Sequence, residues 1–524
     1  MYDLVIRNGV VFDGSGEPGR RADVGVAGER IAMVGSVDAS GASELDAGGM
    51  AVAPGFIDIH SHSDYTLLVD PRAVSSISQG VTTEIVGNCG FGCAPIRDPN
   101  LAPGSIYGFD GSVPLRWHTL SEYLDRLEEA RPAVNVLALV PNGQLRRAAV
   151  GVADRAATVR ERRGMLRALE ESLSAGAFGY STGLEYPAES GAPAEEIESM
   201  CRIVARRDRL YATHTRKRDE GAVAAIHEAL NAARRTGVRL QISHLLPRKT
   251  DGGELEQSIA AVEHARGQGV SVQFDMHTRS FGFTFLSTLL PAWALAEGKD
   301  ALRRHLSSKA GRERMKQHRS IINGAGWERV TLMQPSASGA AAPWCCRTVA
   351  EIAASERREP HDFCLDLLLT EIDTLERTMV LIFAYSEDNQ ERIFRHPLCM
   401  PGSDATALAP DGPLADRVFH GAYSWAAWFY RFMVRERRAM RPEEAVHRLT
   451  GMPASVLGLS KLGKIAVGAR ADLAVFDPDD FGERASVAAP NLTARGMRYV
   501  IVGGKVAFHA GEFTGVRAGE VLRA

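Results

Sequence analysis

The sequence predicts an α/β fold: a parallel strand–helix barrel with a small β-sandwich built from both ends of the chain. Three observations predict it. Strand-type runs alternate with helix-type runs from about residue 134 to residue 275, the pattern of repeated βα units. Both ends of the chain read instead as short strands separated by turn pairs. Five side chains of metal-binding type stand at the ends of strand-like runs, where a βα barrel gathers its functional groups.

Residues 1–53 form the first β part. Leu4-Val5-Ile6 runs into Asn8-Gly9, a hairpin-type turn pair, and Asp23 to Val26 and Arg30 to Val34 continue the pattern. The barrel is expected over 54–460. Val52 to Ile59 is an apolar run ending on His60-Ser61-His62, and Gly80 to Gly87 is another ending on Asn88-Cys89-Gly90. Val134 to Val140, Ala177 to Ser181, Leu210 to His214, Val238 to His244 and Val270 to Asp275 are the next strands. Helices are expected over Val159–Ala175, Glu195–Arg207, Glu220–Arg235 and Gly253–Gln268. The alternation weakens over about 283–347, which reads as an insertion folded over one barrel end, with Ser336 to Pro343 as a loop. The barrel resumes after Glu359, with Met379 to Phe383 as a strand and Leu398 to Asp404 as a later one. Residues 461–524 return to the β domain through Ala471 to Asp477 and the Gly503-Gly504 hairpin.

Composition narrows the function classes. The chain has 524 residues, 45% hydrophobic and 24% charged, which is ordinary for a globular protein able to bury a large core. A net charge of −3 gives no basic surface for nucleic acid, and no apolar run reaches 18 residues, so no membrane span is expected. The N-terminus starts at once as a strand and lacks the apolar segment of a signal peptide; a cytoplasmic protein is expected. The seven cysteines are thinly spread and odd in number, which does not suit a disulfide framework.

Residues two apart on a strand share a face, so His60 and His62 can chelate one ion. Cys89, His214 and His244 also lie at strand ends. Imidazoles with a thiolate suit Zn²⁺, one ion or two. A metal there raises the acidity of water, and a nearby carboxylate can move the proton to a leaving nitrogen. Asp404, ending a late strand, is the candidate for that general base. The chemistry expected is metal-assisted hydrolysis of an amide in a small-molecule substrate.

With these residues in view, the chain resembles the amidohydrolase superfamily, and within it the N-acyl-D-amino-acid deacylase (D-aminoacylase) family. The matching stretches are Pro54 to His62, Gly80 to Thr83 with Gly87 to Gly90, Tyr211 to His214, Gln241 to His244, Ser386 to Asp388, Gly402 to Asp404 and Arg470 to Leu473. The resemblance implies a distorted TIM (β/α)8 barrel with a β-sandwich and a lid-like insertion. It implies that Cys89, His214 and His244 hold the tighter zinc, that His60 and His62 belong to a second site, and that Asp404 is the acid/base. Tyr186 matches a family tyrosine near the substrate. The recognition end departs from the pattern. Leu246 stands where the family carries a lysine, and Asp275-Met276-His277-Thr278-Arg279 replaces a tyrosine-rich segment. Arg279, a guanidinium able to grip a carboxylate, is the expected replacement in substrate binding; His277 is a candidate beside it, with an orienting residue or a surface residue as its alternative readings. Two alternatives accompany this reading: a cyclic-amide hydrolase or dipeptidase on the same scaffold, and a non-catalytic binding protein.

Overall fold

The computed structural model describes residues 2–334 and 342–524; the loop expected at 336–343 lies, through residue 341, outside them. Eight strands make one parallel sheet: β1 (Phe56–Asp58), β2 (Val81–Val86), β3 (Asn135–Pro141), β4 (Gly179–Gly183), β5 (Leu210–His214), β6 (Arg239–Ile242), β7 (Val272–His277) and β8 (Cys399–Gly402). They are bonded in chain order. β1 and β8 share no strand ladder. They meet at their C-terminal ends, where Asp404 N donates to His60 O at 2.8 Å, His62 N donates to Ala405 O at 2.8 Å, and Ser61 bridges Ala405. The sheet is thus a barrel whose seam closes at the end that carries the histidines.

Both faces of these strands are buried, which is why they read as continuous apolar runs rather than alternating ones. Ile57, Ile85, Leu137, Leu139, Leu210, Ala212 and Met400 form an inner cluster. Val86, Val136, Ala138, Leu240, Ile242 and Phe274 face the surrounding helices. Those helices span Val159–Ser174, Ala194–Arg206, Ala222–Thr236 and Glu254–Gly267, each within two residues of the sequence expectation. The first is opened by a reciprocal capping box of Thr158 and Glu161.

The β domain is one nine-stranded sheet drawn from both ends of the chain. Its join is the antiparallel pairing of Ala51–Pro54 with Leu473–Phe476. Bonds from Ile31 N to Ala469 O and from Ala471 N to Glu29 O bring the far edge back to this join. The sheet therefore curls around a core of Leu4, Ile6, Val24, Val26, Leu473, Val475 and Ile501.

Two expectations are corrected. Met379–Phe383 is not a barrel strand. It is the middle of a separate four-stranded sheet, paired antiparallel with Phe281–Phe285 on one side and Val330–Gln334 on the other. The inserted unit does not end near residue 347. Leu286, Leu306, Val330, Ile352, Phe363, Leu368 and Val380 share one core, so the insertion reaches to the end of the 379–383 strand. The chain re-enters the barrel through the helix Glu387–Arg395, capped by Ser386, and then β8. No helix among the described residues is long and apolar enough to cross a membrane.

Candidate metal centre

The strand ends place the site. β1 runs into His60 and His62, β2 into Cys89, β6 into His244 and β8 into Asp404. Cys89, His244 and Asp404 all take the left-handed backbone conformation, φ 53°, 35° and 46°. That conformation is costly for residues with a side chain and concentrates at functional sites.

Four ligand atoms, one each from His60, Cys89, His244 and Asp404, lie within 4.8 Å of one another. His60 Nε2 is 3.1 Å from Cys89 Sγ and 3.5 Å from Asp404 Oδ1, and Cys89 Sγ is 3.5 Å from His244 Nε2. Ligands bound tetrahedrally at 2.0–2.3 Å are separated by roughly 3.3–3.7 Å, so the donor set and its spacing both fit a zinc ion. His62 reaches the same carboxylate, Nε2 to Oδ1 3.1 Å. Nδ1 of His62, His214 and His244 is buried with no protein partner.

The charges in the nest pull against burial. Burial raises the Asp404 carboxyl, but the His62 hydrogen bond and the charges of His60, Arg279 and His244 hold it well below the usual range. Burial lowers His60, yet Cys89 and Asp275 carry it well above the ordinary imidazole value. Burial pushes the Cys89 thiol up to about 11 against the pull of His60. A cation satisfies the same thiolate, carboxylate and imidazoles without a shared proton.

The structure arranges the expected residues differently in two places. His214 lies beside His244, ring centroids 4.6 Å apart, but its Nε2 contacts Glu185 Oε2 at 2.9 Å instead of joining Cys89. The reason is a carboxylate that the sequence reading passed over. Glu185 is gripped by both terminal nitrogens of Arg248, and despite burial this pair and the His214 bond hold it ionised. Arg279 does not present its guanidinium to the barrel mouth. Its Nη1 donates to Ser403 O and His420 O, and its Nη2 donates to Asp404 O and Oδ2. The expected role as a substrate-carboxylate clamp is corrected by this geometry, because every terminal N–H is already spent.

His277 is buried beside the nest, 6.3 Å from His244 by ring centroids and packed on Tyr385, with Nε2 unpartnered. The Tyr186 ring packs tilted on His214 with centroids 4.7 Å apart and edge-on to Phe91 at 4.9 Å. With Glu185 it lines a cleft of about 830 Å³ between the barrel loops and the inserted unit, whose other walls include Lys217, Trp293 and Arg314. Leu246 is fully buried in the barrel core. A further residue missed from sequence is Asp275, which accepts from His60 Nδ1 at 3.0 Å and from His244 N at 2.9 Å. A carboxylate so placed fixes ring orientation in metal-binding histidines. Its signal was present, since it too lies near the C-terminal end of a barrel strand.

A parallel barrel with metal-type ligands gathered at its C-terminal mouth and an amide-hydrolase motif set places the chain in a known class. It belongs to the amidohydrolase family, whose model matches residues 43–339 and 405–508. Its relatives are more particular. It is 35% identical over 511 residues to the N-acyl-D-glutamate deacylase of Alcaligenes xylosoxydans xylosoxydans, spanning 97% of this chain and 93% of that one. It is 32% identical over 525 residues to the D-aminoacylase of the same organism, spanning 99% and 97%. The crystal structure of N-acyl-D-glutamate deacylase from Bordetella bronchiseptica, complexed with zinc and a phosphonate that mimics the tetrahedral intermediate, superposes over all of both chains with a TM-score of 0.83 at 32% identity.

Proposed function

We propose that this protein is a zinc-dependent hydrolase that releases the acyl group from small N-acylated D-amino acids. One observation carries the reading: a carboxylate, Asp404, sits within a His–Cys–His set of zinc spacing at the barrel mouth. The deacylase relatives supply the substrate class. A reducing, cytoplasmic setting suits the chain, whose seven cysteines are all free.

His60, His62, Cys89, His244 and Asp404 are the proposed metal-holding side chains, with His214 beside them. Zinc, when bound, supplies the Lewis acid that polarises the amide carbonyl and makes water more acidic. Asp404, held ionised, takes the proton from the attacking water and delivers it to the leaving amine nitrogen. Asp275 fixes the His60 ring and the His244 backbone. Tyr186 faces the substrate from the cleft, and His277 borders it from the β7 side.

The test is zinc content together with amine release from N-acetyl-D- and N-acetyl-L-amino acids, acidic and neutral. Zinc in the purified protein with release from D-substrates is the expected result. Ring opening of cyclic imides with no release from any acyl amino acid would transfer the chain to the cyclic-amide reading.

A further inference from the structure

Asp404 is a crowded place for a carboxylate. It follows β8, has φ 46°, and its Oδ1 is shared by two histidines. An Asp side chain turns easily about its last torsion, which is broad and two-fold. Something must decide which oxygen faces the nest.

We propose that Arg279 is a positioning residue that clamps Asp404 for proton transfer; the proposal rests on the hydrolase reading above. Nη2 bonds both the backbone oxygen of Asp404, at 3.0 Å, and its Oδ2, at 3.1 Å. One nitrogen thereby ties the side chain to its own main chain and leaves Oδ1 toward His60 and His62. Nη1 ties the same plane to Ser403 O and His420 O. The Arg279 side chain is 4% exposed, and its guanidinium carbon lies 6.0 Å from the Phe419 ring centroid. Gly421, at φ +101°, makes the room: a Cβ there would stand 2.2 Å from Nη1. Arg279 thus joins the end of β7, the turn after β8 and the 419–421 segment around one carboxylate. A lysine carries the charge but radiates its donors from one atom and cannot hold both pairs of acceptors.

The experiment is a double-mutant cycle of Arg279→Lys and Asp404→Asn. In the wild-type background Arg279→Lys is expected to lower kcat roughly 10–100-fold, the scale of a misplaced catalytic group, with KM nearly unchanged and zinc content retained. In the Asp404→Asn background it is expected to cost nothing further. A raised KM at constant kcat overturns the proposal in favour of substrate binding. An equal kcat loss in both backgrounds overturns it in favour of a merely structural role. The midpoints of denaturant unfolding of the four proteins are measured in parallel and need no substrate. If the wild type hydrolyses no acyl amino acid, the functional reading fails, and the unfolding cycle alone decides Arg279: losses that fall short of adding keep the clamp, and losses that add remove it.

Discussion

Glu189 shows how much of this site is held by groups that never meet the substrate. Its Oε2 accepts from Asn142 Nδ2 at 2.8 Å and from Gly183 N at 3.0 Å, beneath the Tyr186 turn. Burial outweighs those bonds and raises its carboxyl from 4.5 to about 7. The folded protein therefore holds a proton that the unfolded chain releases, and stability falls as pH rises from about 4.5 through 7. Above that window the full penalty of about 3 kcal/mol is present, and below it none. Glu189→Gln keeps an acceptor and cannot ionise. Compared with wild type by urea unfolding, it is expected to gain stability as pH goes from 5 to 8. A gap of the same size at both pH values would sink the assignment. At this scale the sequence was most legible where chemistry repeats at strand ends: His60, His62, Cys89, His244 and Asp404 were all readable that way. Asp275 carried the same strand-end signal and was passed over, whereas Glu185 and Glu189 were not singled out because a carboxylate's partner across the barrel has no local signature. Arg279 was read from its chemistry alone, and its acceptors, Ser403, Asp404 and His420, lie more than 120 residues along the chain.

At the scale of elements, the close approach of β4 to the Cys89 turn sets the site. A Cβ on Gly183, the last residue of β4, would stand 2.0 Å from Cys89 O and 2.8 Å from Tyr186 Cδ2. Backbone on one side and a packed ring on the other leave no cheap relaxation. Gly183→Ala is expected to cost about 1–3 kcal/mol as overpacking and to weaken zinc binding by displacing Cys89. Zinc affinity by competition with a chromogenic chelator checks this, and unchanged affinity would show that the Cys89 turn tolerates the shift. The barrel strands were legible because a run buried on both faces looks the same wherever it pairs. That uniformity also misplaced Met379–Phe383. MVLIF reads as a buried strand, but only tertiary pairing chooses between the barrel and the inserted sheet, where Phe281 stands opposite Phe383.

For the whole molecule, the weak line is the seam between β1 and β8. These strands share no ladder and meet through two backbone bonds and the contacts of Asp58, Ser403 and Ala405. The metal nest spans that seam: His60 and His62 come from one side, Asp404 from the other, and His62 and Asp404 are 342 residues apart. An ion held by both sides would substitute for the missing ladder. A ligand present at 1,000 times its Kd stabilises the folded state by about 4 kcal/mol, so stripping zinc with a chelator is expected to lower the unfolding midpoint substantially. The loss should also be local. Amide exchange is expected to rise first over 58–63 and 402–407, while the β domain joined by the 51–54 and 473–476 pairing keeps its protection. The β domain has a core of its own and supplies no ligand to the nest. Exchange that rises evenly over barrel and β domain would mean that the ion supports the fold as a whole and that the seam is not its weak point. Restored protection on adding zinc back, at the same two segments, would place the coupling between metal binding and barrel closure there.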